Sequence, residues 1–316
     1  MSAAGVVGAV TQVALVAFGA PLLVGFMRQV RARLEGRAGA GVAQPWRDLR
    51  KLLRKEPITP HGTGVLFRAA PLVLAGTALV VSAVVPIVTT ASPLDGTADL
   101  FAVAALLALG TVFLALAGLD TATAFGGMGA SREMVVLALV EPTILLSVFA
   151  LSARVGSTNL GAIVTATLHE PLLVISPVSL LAAVALAVVT IAETGRIPVD
   201  NPSTHLELTM IHEAMVLEYS GPDLALVEWA SAMRLTVLLG LFAGLFAPWG
   251  IAGTSMAMLP VAVAAFAAKA VVLGGLLAAG EVFMAKLRMF RVPELLAGSF
   301  LLALLAVAAS FFLAAP

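Results

Sequence analysis

The sequence predicts an all-α, polytopic integral membrane protein of about eight transmembrane helices. Three observations carry that prediction. Of 316 residues, 60% are hydrophobic and 11% charged, and the mean hydropathy is +1.06. An ordinary soluble domain carries about 45–50% apolar and about 25% charged residues, so a soluble enzyme is excluded. The apolar residues gather into runs close to the roughly 20 residues that a bilayer core requires, and nearly all basic residues fall on one side of those runs. The eighteen basic and eighteen acidic residues cancel, so no global field favours nucleic acid. There is no cysteine, which excludes a thiolate-ligated iron–sulfur cluster on this chain.

The expected spans, in order, are residues 6–27, 69–91, 101–119, 134–152, 172–192, 229–247, 257–282 and 295–314, one transmembrane domain over 1–316. The first run has no basic residues before it and is too long for a signal-peptide core, so it is read as a retained span. Its basic residues follow instead: Arg28, Arg31, Arg33, Arg37, Arg47, Arg50, Lys51, Arg54, Lys55 and Arg68. Alternation through eight spans puts Arg132, Arg196, Lys286, Arg288 and Arg291 on the same side, against Arg154 alone on the other. The positive-inside rule then makes loops 28–68, 120–133, 193–228 and 283–294 cytoplasmic, in a plasma membrane with both termini outside. The outer loops are short and leave no room for an extracellular catalytic domain.

The first cytoplasmic loop contains a basic amphipathic helix. Pro45 suits a helix start, Trp46, Leu49, Leu52 and Leu53 form one apolar stripe, and Arg50, Lys51 and Arg54 lie on the other face. Such a helix lies in the headgroup plane of the lipid bilayer or docks a cytoplasmic partner. The Pro57 and Pro60 that follow stop it.

Several charges fall inside spans: Glu141 in the fourth with Glu133 at its entrance, Arg234 in the sixth, Lys269 and Glu281 in the seventh. Ionisable groups at such depth cost about 2.5–3.5 kcal/mol and face a protein interior or wet cavity. Arg234 reads as a clamp between helices. Glu141, with no basic residue near it in sequence, reads as a proton-handling group.

Residues 193–228 hold the densest chemistry. Two prolines, Pro198 and Pro202, make the first half irregular, and Asn201–Thr204 reads as a helix start with Glu207 completing a capping box. On one helix, Glu207 and Glu218 share a face, with Glu213 elsewhere. His212-Glu213 lacks the second histidine of a zinc-protease motif because position 216 is Val216. With His205 the only histidine nearby, no metal site is expected. A carboxylate series of this kind is what a proton relay requires; a solvated acidic face is the other reading of the same residues.

Residues Ala192–Asp200, Glu207-Leu208 and Glu218-Tyr219-Ser220-Gly221 resemble the signature of the membrane subunit joining the two arms of respiratory complex I, the NADH dehydrogenase subunit 1 family of bacteria and mitochondria. Gln44–Glu56 resembles that family's other signature. Gly195, Ile197-Pro198-Val199, the string Asp200–Glu213 and the glycine-rich turn Ala124–Glu133 are more similar to the homologous subunit of group 4 nickel–iron hydrogenases, the branch of formate hydrogenlyase and hydrogenase-4.

That resemblance implies an oxidoreductase-complex anchor and proton-coupling subunit without a redox centre of its own. It implies a nickel–iron centre and iron–sulfur clusters on partners: hydrogenase large and small subunits, ferredoxin-like iron–sulfur subunits and antiporter-like membrane subunits. The family's acid chain maps to Glu133, Glu141, Glu193, Glu207, Glu218 and Glu228, with Glu213 particular to the hydrogenase-like branch. Trp46, Arg50, Lys51, Arg54, Arg196 and Asp200 map to the partner-docking or vestigial quinone region. The alternative is a quinone-site subunit of NADH:quinone oxidoreductase. An independent transporter is suggested only by Glu141 and Lys269, and no internal repeat supports it.

Overall fold

The computed structural model describes residues 3–201, 210–253 and 255–314. The fold is helical throughout, with no strand among the described residues. Among the described residues eleven α-helices follow one another: α1 (Ala3–Leu34), α2 (Gln44–Leu52), α3 (Val65–Val84), α4 (Leu100–Asp120), α5 (Ala124–Val155), α6 (Leu160–His169), α7 (Pro177–Glu193), α8 (His212–Val216), α9 (Gly221–Phe246), α10 (Leu259–Phe283) and α11 (Val292–Ala314). Seven of the described helices, α1, α3, α4, α5, α9, α10 and α11, are long and apolar enough to cross a membrane. The chain is a multi-pass membrane protein. Helix α7 is also apolar but has only 17 residues, about 26 Å. It occupies most of the fifth expected span; the start of that span falls in a separate 3-10 turn, Pro171–Ile175, because Pro177 sets a new helix start behind the Ser176 cap.

Helix α9 is the central column. In its most apolar window 78% of residues are buried, against 28% in α10 and in α11. Around it, α3 packs on α4 and α9, α5 packs on α4, α7 and α11, and α1 packs on α9 and α10. Small residues permit the closest approaches. At the α4–α5 crossing a Cβ on Gly126 would stand 2.3 Å from the Gly118 carbonyl oxygen.

That crossing corrects one expectation. The glycine-rich stretch Ala124–Glu133 is not a flexible turn but the first turns of α5, started by the Thr123 hydroxyl accepting from the Gly126 amide at 3.2 Å. Its glycines are there for proximity. A Cβ on Gly129 would sit 2.9 Å from both the Ala214 side chain and the Ile211 carbonyl oxygen. Gly129→Val is therefore expected to destabilise the α5–α8 contact by about 1–3 kcal/mol, seen as a lowered midpoint in thermal unfolding of the detergent-purified protein.

The third loop differs too. The helix start expected at Asn201–Thr204 and the residue Glu207 fall on or within 202–209, outside the described residues apart from Asn201 itself. Helix α8 spans only His212–Val216, and Ile211 before it has φ −114° and ψ −80°, outside helical geometry. Glu218 lies beyond the end of α8, off the helix that carries Glu213. The first loop, by contrast, holds α2 with Pro45 in its first turn, ending at Leu52 before the prolines are reached.

Candidate functional site: a charged chamber and a buried acid cluster

Helices α1, α2, α8 and α9 and the segment Thr194–Asp200 enclose a chamber of about 470 Å³. Its walls are built by the segment between α7 and α8. Gly195 turns the chain with φ +57°, a conformation that disfavours a side chain. Arg196 and Arg31 both pair with Glu281, at 3.0 and 3.4 Å, so one buried carboxylate ties α1, this segment and α10 together. Asp200 is 2% exposed. It accepts from the amides of Asn201 (2.8 Å), Ile211 and His212 (both 3.1 Å) and pairs with Lys286 at 3.5 Å. Asp200 thus lies within the wall of the chamber and receives the first amide of α8.

The Glu218–Gly221 string fastens the same wall to the first loop. The Tyr219 ring stacks on Phe67 with centroids 4.2 Å apart, and its hydroxyl donates to the Phe67 carbonyl at 2.8 Å. Burial raises the Tyr219 pKa, with Asp223 and Asp120 adding to it, so the phenol stays a donor. The Ser220 hydroxyl accepts from the Ile58 amide at 2.8 Å. A Cβ on Gly221, where φ is +54°, would stand 2.8 Å from the Glu56 carbonyl oxygen. Three of the four signature residues are thus structural, and half-buried Glu218 lines neither the chamber nor the two smaller cavities behind it.

Glu213 and Glu228 line the chamber, Glu228 exposed into it from α9. Deeper lies a group of buried charges. Glu193, at the end of α7, pairs with Arg234 of α9 and accepts from the Thr111 hydroxyl of α4 at 3.5 Å. Arg234 also donates to the Leu107 carbonyl at 2.8 Å. Glu133 of α5, 8% exposed, lines the same pocket of about 40 Å³, which is room for a water molecule. Among the described residues Glu193 Oε2 and Arg234 Nε have no hydrogen-bond partner. Glu141 stands eight residues further along α5, half-buried.

His212 lies between the two spaces. It lines the chamber, the 40 Å³ pocket and a third small cavity bounded by Glu133, Glu193 and Asp200. Burial lowers its pKa below 6.5; Asp200 opposes that shift and Arg234 adds to it. The folded chain therefore holds the neutral imidazole. Below the ordinary value of 6.5 the unfolded chain binds the proton first, so stability falls as pH drops through 6.5. Limited proteolysis of residues 194–217 is expected to speed up from pH 7.5 to 5.5, and a His212→Gln variant to lose that part of the pH dependence.

The remaining sequence-derived residues lie apart. Trp46 stacks on Phe18, its indole donating to the Phe18 carbonyl at 3.1 Å, while Arg50 and Lys51 on α2 and Arg54 just beyond it are exposed. Lys269 donates to the Trp249 carbonyl at the opposite end of the bundle. Arg234 of α9 pairs with Glu193 at the end of α7. Arg31, Thr111, Ser231 and the bridging role of Glu281 escaped sequence reading, since nothing local marks side chains that meet across α1, α4, α9 and α10. Among the described residues no group of three or more His, Cys, Asp or Glu side chains is arranged to hold a metal ion.

The sequence profile of the NADH dehydrogenase family matches residues 7–312. The chain is 40% identical over 238 residues to formate hydrogenlyase subunit 4 of Escherichia coli (strain K12), covering 75% of this chain and 76% of that protein. It is 37% identical over 248 residues to hydrogenase-4 component C of the same organism, covering 78% of this chain and 76% of the other. In fold it is similar to a chain of the membrane-bound sulfane sulfur reductase, an archaeal respiratory membrane complex, with a TM-score of 0.78 at 20% identity over 96% of this chain and 98% of that one.

Proposed function

Because the chain belongs to the NADH dehydrogenase family, and to its formate hydrogenlyase-like branch, we propose that it is the membrane anchor and proton-coupling subunit of a membrane-bound hydrogenase complex. Electron transfer on cytoplasmic partners is linked through it to ion movement in the membrane. The observation that carries this reading is the buried Glu133, Glu193 and Arg234 group, set behind a chamber walled by Arg31, Arg196 and Asp200. Carboxyls joined through water-sized spaces pass protons, and the apolar bundle around them prevents leakage. Arg234 supplies the counter-charge to Glu193 until a proton arrives; Glu133 and Glu141 on α5 extend the route across the bundle.

The exposed basic face of α2 and the chamber rim dock a hydrogenase large and small subunit with ferredoxin-like iron–sulfur proteins, and an antiporter-like subunit lies alongside in the membrane. Nickel–iron and iron–sulfur centres belong to those partners. With fifteen of eighteen basic residues on the α2 side, that side faces the cytoplasm of a plasma membrane and both termini lie outside.

Extraction of the tagged chain in mild detergent, followed by mass spectrometry and metal analysis, tests this. Co-purification of a nickel-binding large subunit is expected. Recovery of the chain alone, or with an NADH-oxidising flavoprotein, overturns it. The chamber's volume lies within the range of small-ligand sites, which favours a second reading, a quinone-site subunit. Photoaffinity labelling of Arg196 or the first loop by a quinone analogue would support that one instead.

A further inference from the structure

We propose that His212 is the proton gate between the chamber and the buried acid cluster: the residue through which protons must pass to reach Glu193 and Glu133. This rests on the coupling role above and names the step at which the chamber connects to the interior.

The geometry is specific. His212 and Thr194 are the residues shared by the chamber wall and the inner pocket together with Ser231. Of these three, His212 alone also bounds the third cavity, where Glu133, Glu193 and Asp200 meet. Its Nε2 stands 3.5 Å from the Ser231 hydroxyl on α9, so the ring already has a polar neighbour on the route. Its backbone is fixed by the Asp200 carboxylate accepting from the His212 amide at 3.1 Å. A Cβ on Gly195 would stand 3.5 Å from the His212 Cβ, so the two residues are in close contact. The backbone of His212 is therefore anchored by Asp200 of the preceding segment, and its ring meets Ser231 of α9.

Serine and threonine hydroxyls relay a proton only by rotating between donor and acceptor states. An imidazole does more, because one nitrogen can accept a proton while the other releases one, with no net change in the ring after it turns or exchanges through water. At the neck, Nε2 or Nδ1 takes a proton from chamber water, and the second nitrogen passes one to water beside Glu193 or Glu133. The charged groups facing the ring set its behaviour: Asp200 from the loop and Glu193 from α7 favour the imidazolium, as does Glu133 from α5 when ionised, while Arg234 from α9 opposes it. Burial keeps the resting ring neutral, ready to accept. When Glu193 has taken a proton, Arg234 loses its counter-charge and repels a cation at His212 more strongly. The gate then disfavours a second proton until the first has moved on, which makes the passage one proton at a time.

The test uses the intact complex in sealed vesicles, with proton translocation measured per assembled complex. His212→Ala is expected to lower translocation about tenfold or more. Added imidazole, which the chamber can admit, is expected to restore part of it, with the restored rate rising as pH approaches the imidazole pKa. Glu193→Gln is expected to lose translocation without rescue by imidazole. Should His212→Ala fail to assemble, His212→Gln, which keeps much of the size and polarity of the ring but cannot titrate, carries the same expectation. Full translocation in either histidine variant, with Glu193→Gln inactive, overturns the gate and leaves the relay standing. Full translocation in Glu193→Gln overturns the relay itself. Loss in His212→Ala with no response to imidazole, alongside normal translocation in His212→Gln, assigns the residue a packing role and also overturns the gate.

Discussion

Arg234→Leu is expected to destabilise the chain by about 3–5 kcal/mol and to reduce the amount of assembled complex recovered from membranes. The reason is the carboxylate it leaves behind. Glu193 has a side chain 2% exposed, lies within an apolar bundle, and has Arg234 as its ion-pair partner, with Thr111 accessory at 3.5 Å. Removing the cation strands a buried charge, whose desolvation is no longer offset. The pair itself contributes little net stability, so removing both charges is far milder than removing one. The double variant Glu193→Gln with Arg234→Leu should therefore recover most of the lost complex. A double-mutant cycle on thermal inactivation of the purified complex measures that coupling. If the double variant is as unstable as Arg234→Leu alone, the arginine acts through its bond to the Leu107 carbonyl and through packing, not through Glu193.

Glu133→Gln is expected to leave assembly intact and to lower proton translocation about a hundredfold. Glutamine fills the same volume and can still hydrogen-bond, so the α5 turn that carries it should keep its packing against α8 and the 194–200 segment. What it cannot do is bind and release a proton. Glu133 is 8% exposed and shares a water-sized pocket with Glu193, so the proposed relay runs from Glu193 through it toward Glu141. Fluorescence quenching of a pH dye in inverted vesicles gives the rate. Wild-type translocation in Glu133→Gln would move the route away from α5.

The membrane class, the basic side of the bundle and the amphipathic α2 were legible in the sequence, because each depends on composition or on period along one helix. Trp46 and Leu49 do face the bundle while Arg50 and Lys51 face out, as their spacing requires. The acids were legible as residues but not as a site. Glu141 drew attention by having no basic neighbour in sequence, yet Glu193, one residue past an expected span boundary, proves to be the one clasped by Arg234 from 41 positions away. The glycines of Ala124–Glu133 read as flexibility when they are close-packing positions, because a lone sequence cannot distinguish a glycine that needs freedom from one that needs room. Of the Glu218–Gly221 string, the aromatic, hydroxyl and glycine residues hold the first loop in place, and their partners Phe67, Ile58 and Glu56 lie far earlier in the chain, 152 positions in the case of Phe67 and 162 in that of Ile58.

By itself, then, the sequence determined that the chain is a helical membrane protein and to which family it belongs, since hydrophobic run length and local motifs are properties of contiguous residues. Only the tertiary structure decided which charges meet. An ion pair in a bundle depends on how helices cross and rotate, and those are set by the packing of small residues such as Gly118, Gly126 and Gly129 across partners distant in the chain. The same crossings place His212 between the chamber and the buried charge cluster.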